Sequence, residues 1–484
     1  LKVKDSWLII PLIAIIFLLN LSIASRSPYG GWMDEVVFVD PAFNLAAGKG
    51  WTSSAWLWQT DHEFWAVNSP LYSGGLFAWI QLFGASMVTA RAYCYFLAAI
   101  GIFLFWLGAF RFQILTPLYR LFWVVILSTQ YAMNWMERNE RYDVWIFIGL
   151  GIAWAGALVK SFPAKVIAVM AGGFLVPWGG LVGAPYVCFL ALLATVLTSF
   201  RFWKESLAAV VGMAAGVISV FAFYAKVGHL DAFLTSVHHN SGLGDRPFYA
   251  HVRDLLLYPQ QDISLWAIIG VLVALTFFFF FQKGHAGASP WLQLGWAAVV
   301  LMPCVMILRG IFSMVYFYMV IIPLSLALLQ LILHARSEAW GRALAFALSL
   351  VIGLDCLMGL PARLFFAYRD WDYRSPKHMT DFVHRYIRPD DSVESDYAFY
   401  FVLKDYVKFV ASPHYLAVIP PDEASRVTVA LVRNGSMPDM VTTSALKGTW
   451  TKVAVFPTPE MTAQDKPANA DLTFTLYRRE VPHS

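Results

Sequence analysis

The chain has 484 residues, 59% of them apolar and only 14% charged. Soluble globular proteins carry about a quarter charged residues, so a soluble enzyme or binding module is excluded. A formal charge of +4 with no long basic run argues against a nucleic-acid partner. Mean hydropathy is +0.59. The 20 Trp and 38 Phe suit rings that fill a membrane bundle and anchor its two interfaces.

Lys2 and Lys4 precede an apolar run from Trp7 to Ala24. That run exceeds the usual length of about 7–15 residues for a signal-peptide core and reads as an uncleaved first span. Windows of about 20 apolar residues cross the hydrocarbon core. They fall near 7–24, 87–110, 119–135, 143–159, 164–179, 182–200, 206–225, 263–282, 290–308, 311–333 and 343–360. The fifth is short and ends in Pro177-Trp178-Gly179-Gly180, the pattern of a broken helix. Cys94, Cys188, Cys304 and Cys356 lie in apolar stretches, without disulfide or metal spacing, and read as small buried residues.

With the N-terminus in the cytoplasm, every inner segment carries a cation, including Arg111, Arg120, Lys160, Lys165, Arg201, Lys204, Lys283, Arg336 and Arg342. The positive-inside rule favours that orientation and places the C-terminal end outside. Two outer segments are long, 25–86 and 226–262. In the first, Asp40 and Pro41 open PAFNLAAGKG, which suits a helix lying along the interface. Beyond 362 the character changes. PKHMTDFVHRYIRPDDSVESD reads as an amphipathic helix, a turn and a strand, and VTVALVRN, TKVAVFP and LTFTLYRRE alternate like strands. The expected architecture is a polytopic α-helical membrane protein of about 11 spans over residues 1–362, with a soluble α/β domain over 370–484.

Candidate chemistry clusters at the outer boundary. Asp34 and Glu35 follow the first span, and carboxylates at a membrane boundary are costly to desolvate and often functional. Adjacent helical residues point about 100° apart, so one of the two faces any single cavity. The alternative is an acidic helix end at the interface. Between the third and fourth spans, ERNERYD places Glu137, Arg138, Glu140, Arg141 and Asp143 together. Asp143 can pair with Arg138 or Arg141, and arginine suits bidentate phosphate recognition. An internally paired, solvated turn explains the same residues. The loop HHNSGLGDRPFYAHVRD offers His238, His239, Arg246, His251 and Arg253, but adjacent histidines lack helix-face metal spacing. Arg309 and Arg363 sit near span ends, as phosphate contacts or as plain helix markers.

The acidic pair after the first span, NSPLYSG at 68–74, Arg91 opening the second span and RYD at 141–143 resemble the GT-C superfamily of polyprenyl-phosphate-sugar-dependent glycosyltransferases. The branches they look most like are bacterial protein O-mannosyltransferases and the lipid A aminoarabinose transferase. The resemblance implies a catalytic base at Asp34, with Glu35 completing the pair, and an outer acid at Asp143. It implies donor-phosphate contacts among Arg138, Arg141, Arg246, Arg253 and Arg309. Asn68 stands where relatives often have Lys, which removes one expected phosphate contact. Some relatives bind a divalent metal ion through a Glu and a His, which here would be Glu63 with His238 or His239.

The implied reaction is inverting transfer from a polyprenyl-phosphate-linked sugar donor to an acceptor hydroxyl on a glycolipid, glycan or protein. It would take place at the periplasmic face of a bacterial inner membrane, in contact with the lipid bilayer and without nucleic acid. A lipid-linked glycan ligase or polymerase uses similar outer-loop cations. A polyprenyl-lipid transporter would instead carry midspan charges and internal repeats, of which Asp355 is the clearest single instance.

Overall fold

The structure is a computed structural model of the chain. It describes all residues except 1–4, 27–32, 56–61, 139–140, 158, 198–201, 241–246, 248, 251, 254–262, 282–294, 296–297, 300–315, 336–338, 413–414, 416–423, 434–447, 462–471 and 481–484. Most of the span expected at 290–308 lies outside the described residues, as do Arg246 and Arg309.

The helices run α1 (Asp5–Arg26), α2 (Met33–Ala46), α3 (Leu71–Phe83), α4 (Met87–Phe112), α5 (Pro117–Thr129), α6 (Tyr131–Arg138), α7 (Asp143–Gly156), α8 (Phe162–Gly179), α9 (Gly183–Leu197), α10 (Trp203–Lys226), α11 (Leu230–Asn240), α12 (Ile263–Phe281), α13 (Tyr318–Ala335), α14 (Ala339–Met358) and α15 (Leu360–Arg369). Among the described residues, five helices are long and apolar enough to cross a membrane, and six shorter ones are apolar. The chain is a polytopic helical membrane protein whose C-terminal end carries a small sheet.

Two expectations about helix continuity change. The span expected at 119–135 is two helices, α5 and α6. Gln130 between them has an extended ψ of 147°, and its side chain accepts from Met133 N at 2.9 Å while donating to Asp355 Oδ2 at 2.8 Å. A side chain that satisfies the backbone freed at a break makes the break tolerable in an apolar setting. Conversely, α8 runs continuously from Phe162 to Gly179 with Pro177 inside it.

Packing divides the chain into two compact units. One comprises 1–20, 66–72 and 94–363; the other comprises 21–65, 73–93 and 364–484. In the first unit α8 lies against α7 and α10 at backbone contact. A Cβ added at Gly172 would sit 2.5 Å from Ala153 N, and one at Gly212 would sit 2.1 Å from Met170 O. Small residues at these crossings let helices approach without a solvent-driven force between them.

In the second unit the C-terminal elements are α16 (Pro376–Tyr386), β1 (Ser392–Ser395), α17 (Tyr397–Lys404), β2 (Phe409–Ala411), β3 (Val429–Arg433), β4 (Trp450–Phe456) and β5 (Phe474–Arg479). The strand order is β2-β1-β3-β5-β4, with β1 parallel to β2 and β3, and β5 antiparallel to β3 and β4. Central β3 is buried along Val429–Val432, as expected for a strand covered on both faces. Phe399 of α17 meets Phe456 at 5.2 Å and Phe474 at 5.1 Å, both edge-on, while Phe382 of α16 meets Phe456 at 5.4 Å. Edge-to-face rings of this kind add to the area they bury and hold both helices on the sheet.

The PAFNLA part of the PAFNLAAGKG segment belongs to a longer helix than expected. Asp40, Pro41, Ala42 and Asn44 are buried inside α2, which starts earlier, at Met33. The apolar stretch 71–83 is an additional helix, α3, and Gly84 with φ +87° turns the chain from it into α4.

Candidate active site at the outer acids

Asp34 and Glu35 stand in the first turn of α2, and the structure separates their roles. Glu35 is 3% exposed, and its Oε1 accepts from Nε and Nη2 of Arg91, each at 2.5 Å. Arg91 is itself buried in α4. A charge-assisted fork of this geometry is strong, and desolvation makes it costly to break from one side. Asp34, one residue earlier, keeps partial exposure. Tyr397 at the start of α17 lies within reach of its charge. Burial first, then the charges of Asp396 and Asp34, hold the Tyr397 phenol above its ordinary value, with a contact from Ser412 opposing.

Six residues further along α2, Asp40 is fully buried and forms an ion pair with Lys404. It also accepts from Tyr400 at 3.0 Å and from Ser53 at 2.7 Å. Ser54 and Tyr400 share a hydrogen bond of 2.7 Å, and Ser412 Oγ donates to Ala55 O at 3.2 Å. The segment after the first span and the C-terminal helix α17 are therefore joined by a buried polar seam. Sequence reasoning missed Lys404, Tyr400 and Ser412, because 364 positions separate Asp40 from Lys404.

In the other unit, Asp143 opens α7 with its carboxylate buried. Arg141 Nε donates to its Oδ2 at 2.7 Å, which is one of the two expected pairings. Tyr318 OH donates to Oδ1 at 3.4 Å, and Arg141 Nη2 reaches Tyr142 OH at 3.2 Å and Tyr316 OH at 3.3 Å. The guanidinium lies 5.2 Å from the Tyr142 ring and 5.3 Å from the Tyr316 ring, so its charge is met by π faces as well as by the carboxylate. Arg141, Tyr142 and Asp143 are all buried rather than solvated. Arg138 ends α6.

Glu137 and Arg363 form a second polar group in that unit. Arg363, inside α15, donates to Asn134 Oδ1 at 2.8 Å, Asn20 Oδ1 at 3.3 Å and Tyr95 OH at 2.9 Å. Glu137 is 2% exposed and lies within reach of the Arg363 charge. No local pattern announces this group, since its members come from α1, α4, α6 and α15.

The NSPLYSG element is packed rather than presented. Ser69 Oγ donates to Trp178 O, and Asn68 O accepts from Tyr224 OH. Ser73 Oγ, in the other unit, donates to Phe38 O at 2.7 Å. Asn68, the residue that departs from the relatives' lysine, thus has its carbonyl held by α10.

The remaining expected residues are dispersed. Glu63 is exposed in the loop after Trp51, His238 and His239 are exposed near the end of α11, and Arg253 is exposed. Among the described residues no group of three or more His, Cys, Asp or Glu side chains is arranged to hold a metal ion.

No protein-family model matches the chain, and no curated protein matches its sequence. Solved structures do match. ArnT from Cupriavidus metallidurans bound to undecaprenyl phosphate aligns over 98% of both chains at 14% identity with a TM-score of 0.53. The apo state of the same protein aligns over 98% of both at 13% identity with a TM-score of 0.54. The Archaeoglobus fulgidus oligosaccharyltransferase in complex with Zn and sulfate aligns over 87% of this chain and 67% of that one, at 9% identity and a TM-score of 0.45. The chain shares the fold of the two ArnT structures over nearly its whole length.

Proposed function

We propose that this protein is a GT-C glycosyltransferase that moves a sugar from a polyprenyl-phosphate donor to an acceptor hydroxyl at the outer face of the membrane, with Asp34 as general base. One observation carries the reading. Of two adjacent boundary acids, Glu35 is consumed by Arg91 in a buried ion pair, whereas Asp34 keeps partial exposure at the same helix start. The shared fold supports it, because the ArnT aligned here was solved with undecaprenyl phosphate bound.

In this reading Asp34 takes the acceptor hydroxyl proton as the oxygen attacks the anomeric carbon. The bond from that carbon to the phosphate oxygen breaks, the phosphate leaves with the electron pair, and a single displacement inverts the anomeric centre. General-base assistance contributes typically 10²–10⁴-fold. Cations that meet the leaving phosphate matter comparably, and the candidates are Arg138, Arg141, Arg246, Arg253 and Arg309. Glu35 acts as a positioning residue: by holding Arg91 it fixes the start of α2 and hence Asp34. The C-terminal domain, tied to α2 by Asp40, is placed to influence the choice of acceptor.

The test is transfer from labelled polyprenyl-phosphate sugars to cell-envelope acceptors by the purified full chain in vesicles. Asp34→Asn is expected to abolish transfer with unchanged thermal unfolding; full activity in that variant rejects the base assignment. Arg246→Ala is expected to raise the donor KM more than the acceptor KM, and an unchanged donor KM removes Arg246 from the site.

A further inference from the structure

The feature that the proposed reaction leaves unexplained is a cavity of 410 Å³ in the second unit, walled by the end of α2, the α3–α4 turn and α17. Ligand pockets typically span about 300–1,000 Å³ and are mostly apolar with a few placed polar groups. Phe43, Met87, Val88, Phe401 and Val402 supply the apolar wall here. Polar side chains on the lining are confined to Ser86, Lys404 and Asp405.

Those three differ in what they offer. Ser86 is committed locally, sharing a 2.9 Å hydrogen bond with Thr89 and capping the Thr89 amide at 3.1 Å. Lys404 is held by Asp40, and an ammonium has three donors. Asp405 caps the C-terminus of α17 and is exposed. The polar end of the cavity therefore carries one ammonium, already paired with Asp40, and one exposed carboxylate, a mixed set that suits a zwitterion better than a simple anion.

The surroundings say where an occupant comes from. Just before the cavity wall, α3 ends in Leu82, 77% exposed, and Phe83, 61% exposed. Immediately after it, Met87–Arg111 is a candidate membrane span. Large apolar side chains exposed beside a candidate span suit contact with lipid, which favours a lipid over an aqueous solute as the occupant.

We propose that this cavity holds one acyl chain of a zwitterionic phospholipid, with the lipid's phosphate at Lys404 and its ammonium at Asp405. The lipid is neither donor nor acceptor. Its chain fills the space between α2 and α17 and braces them beside the Asp40–Lys404 pair, which makes the seating of the C-terminal helix depend on lipid. This inference is independent of the sugar-transfer reading.

The test uses the full chain in nanodiscs of phosphatidylethanolamine or phosphatidylglycerol, followed by native mass spectrometry in detergent and thermal unfolding. Expected are a retained phosphatidylethanolamine on each chain and a higher unfolding temperature than in phosphatidylglycerol. Val402→Trp, which fills the cavity, is expected to lose both the retained lipid and the lipid-dependent shift while unfolding as wild type in phosphatidylglycerol. Equal retention of the two lipids, or a Val402→Trp variant that keeps its lipid, overturns the proposal. Asp405→Asn leaves the wall intact and serves should the tryptophan variant not fold. It is expected to erase the preference between the two headgroups, and a preserved preference overturns the headgroup assignment.

Discussion

Two buried arginine–carboxylate pairs, one in each unit, look alike in chemistry and differ in construction. Glu35 and Arg91 lie 56 positions apart and tie α2 to α4. Arg141 and Asp143 lie two positions apart and staple the start of α7 to the turn before it, with the Tyr142, Tyr316 and Tyr318 hydroxyls around them. The first is a tether between distant elements, so it fixes where Asp34 stands. The second is local, and its tyrosines supply neutral partners that share the burden of a buried charge. Similar pairs thus serve placement in one unit and local order in the other.

The largest expected effect separates Asp34 from its tethered neighbour. Asp34→Asn should lower transfer by about 10²–10⁴-fold and leave the unfolding temperature unchanged. If transfer survives, the tether positions something other than a base. Next comes the tether itself. Arg91→Ala leaves Glu35 buried and uncompensated and should cost about 3–5 kcal/mol, read as a fall in the unfolding temperature of the full chain. A fall no larger than that of an exposed lysine-to-alanine control would mean that Glu35 is not held as described.

Glu394 bounds the comparison from the other side, as a buried carboxyl of β1 whose Oε2 has no hydrogen-bond partner among the described residues. Burial pushes it from 4.5 up to about 7. Between those values the unfolded chain releases a proton that the folded chain retains, so stability falls as pH rises from 4.5 through 7 and stays lower above. Linkage puts the loss at about 3 kcal/mol. Glu394→Gln should flatten that dependence and unfold at a higher temperature than wild type at pH 8; an unchanged pH profile removes Glu394 as its source. The smallest effect belongs to the stapled pair. Tyr318→Phe deletes the 3.4 Å contact to Asp143 and should cost about 1 kcal/mol, since Arg141 remains. A loss as large as that of Arg91→Ala would show the tyrosines to be as essential as the arginine.

Legibility in the sequence followed distance along the chain. For Asp143 the sequence offered Arg138 or Arg141 as partner, both close in the chain, and the structure shows Arg141. The strands around Val429–Arg433, Trp450–Phe456 and Phe474–Arg479 were readable from alternation, and the long apolar helices from composition. The break at Gln130 was not, because apolar residues run through it and its stabilising partner is Asp355. The burial of Asp40, Ala42 and Asn44 was not, because an amphipathic pattern cannot tell a bilayer surface from a protein surface.

Periodicity and composition alone determined that this chain is a helical membrane protein ending in a small sheet, with acids gathered at a span boundary. Both signals arise from solvent preference, which each residue carries with it. Only the tertiary structure decided that Glu35 pairs with Arg91 while Asp34 keeps partial exposure, and that Asp40 pairs with Lys404. Those outcomes depend on which side chains meet after the chain has closed large loops, and an ion pair leaves no trace in the local pattern of either partner.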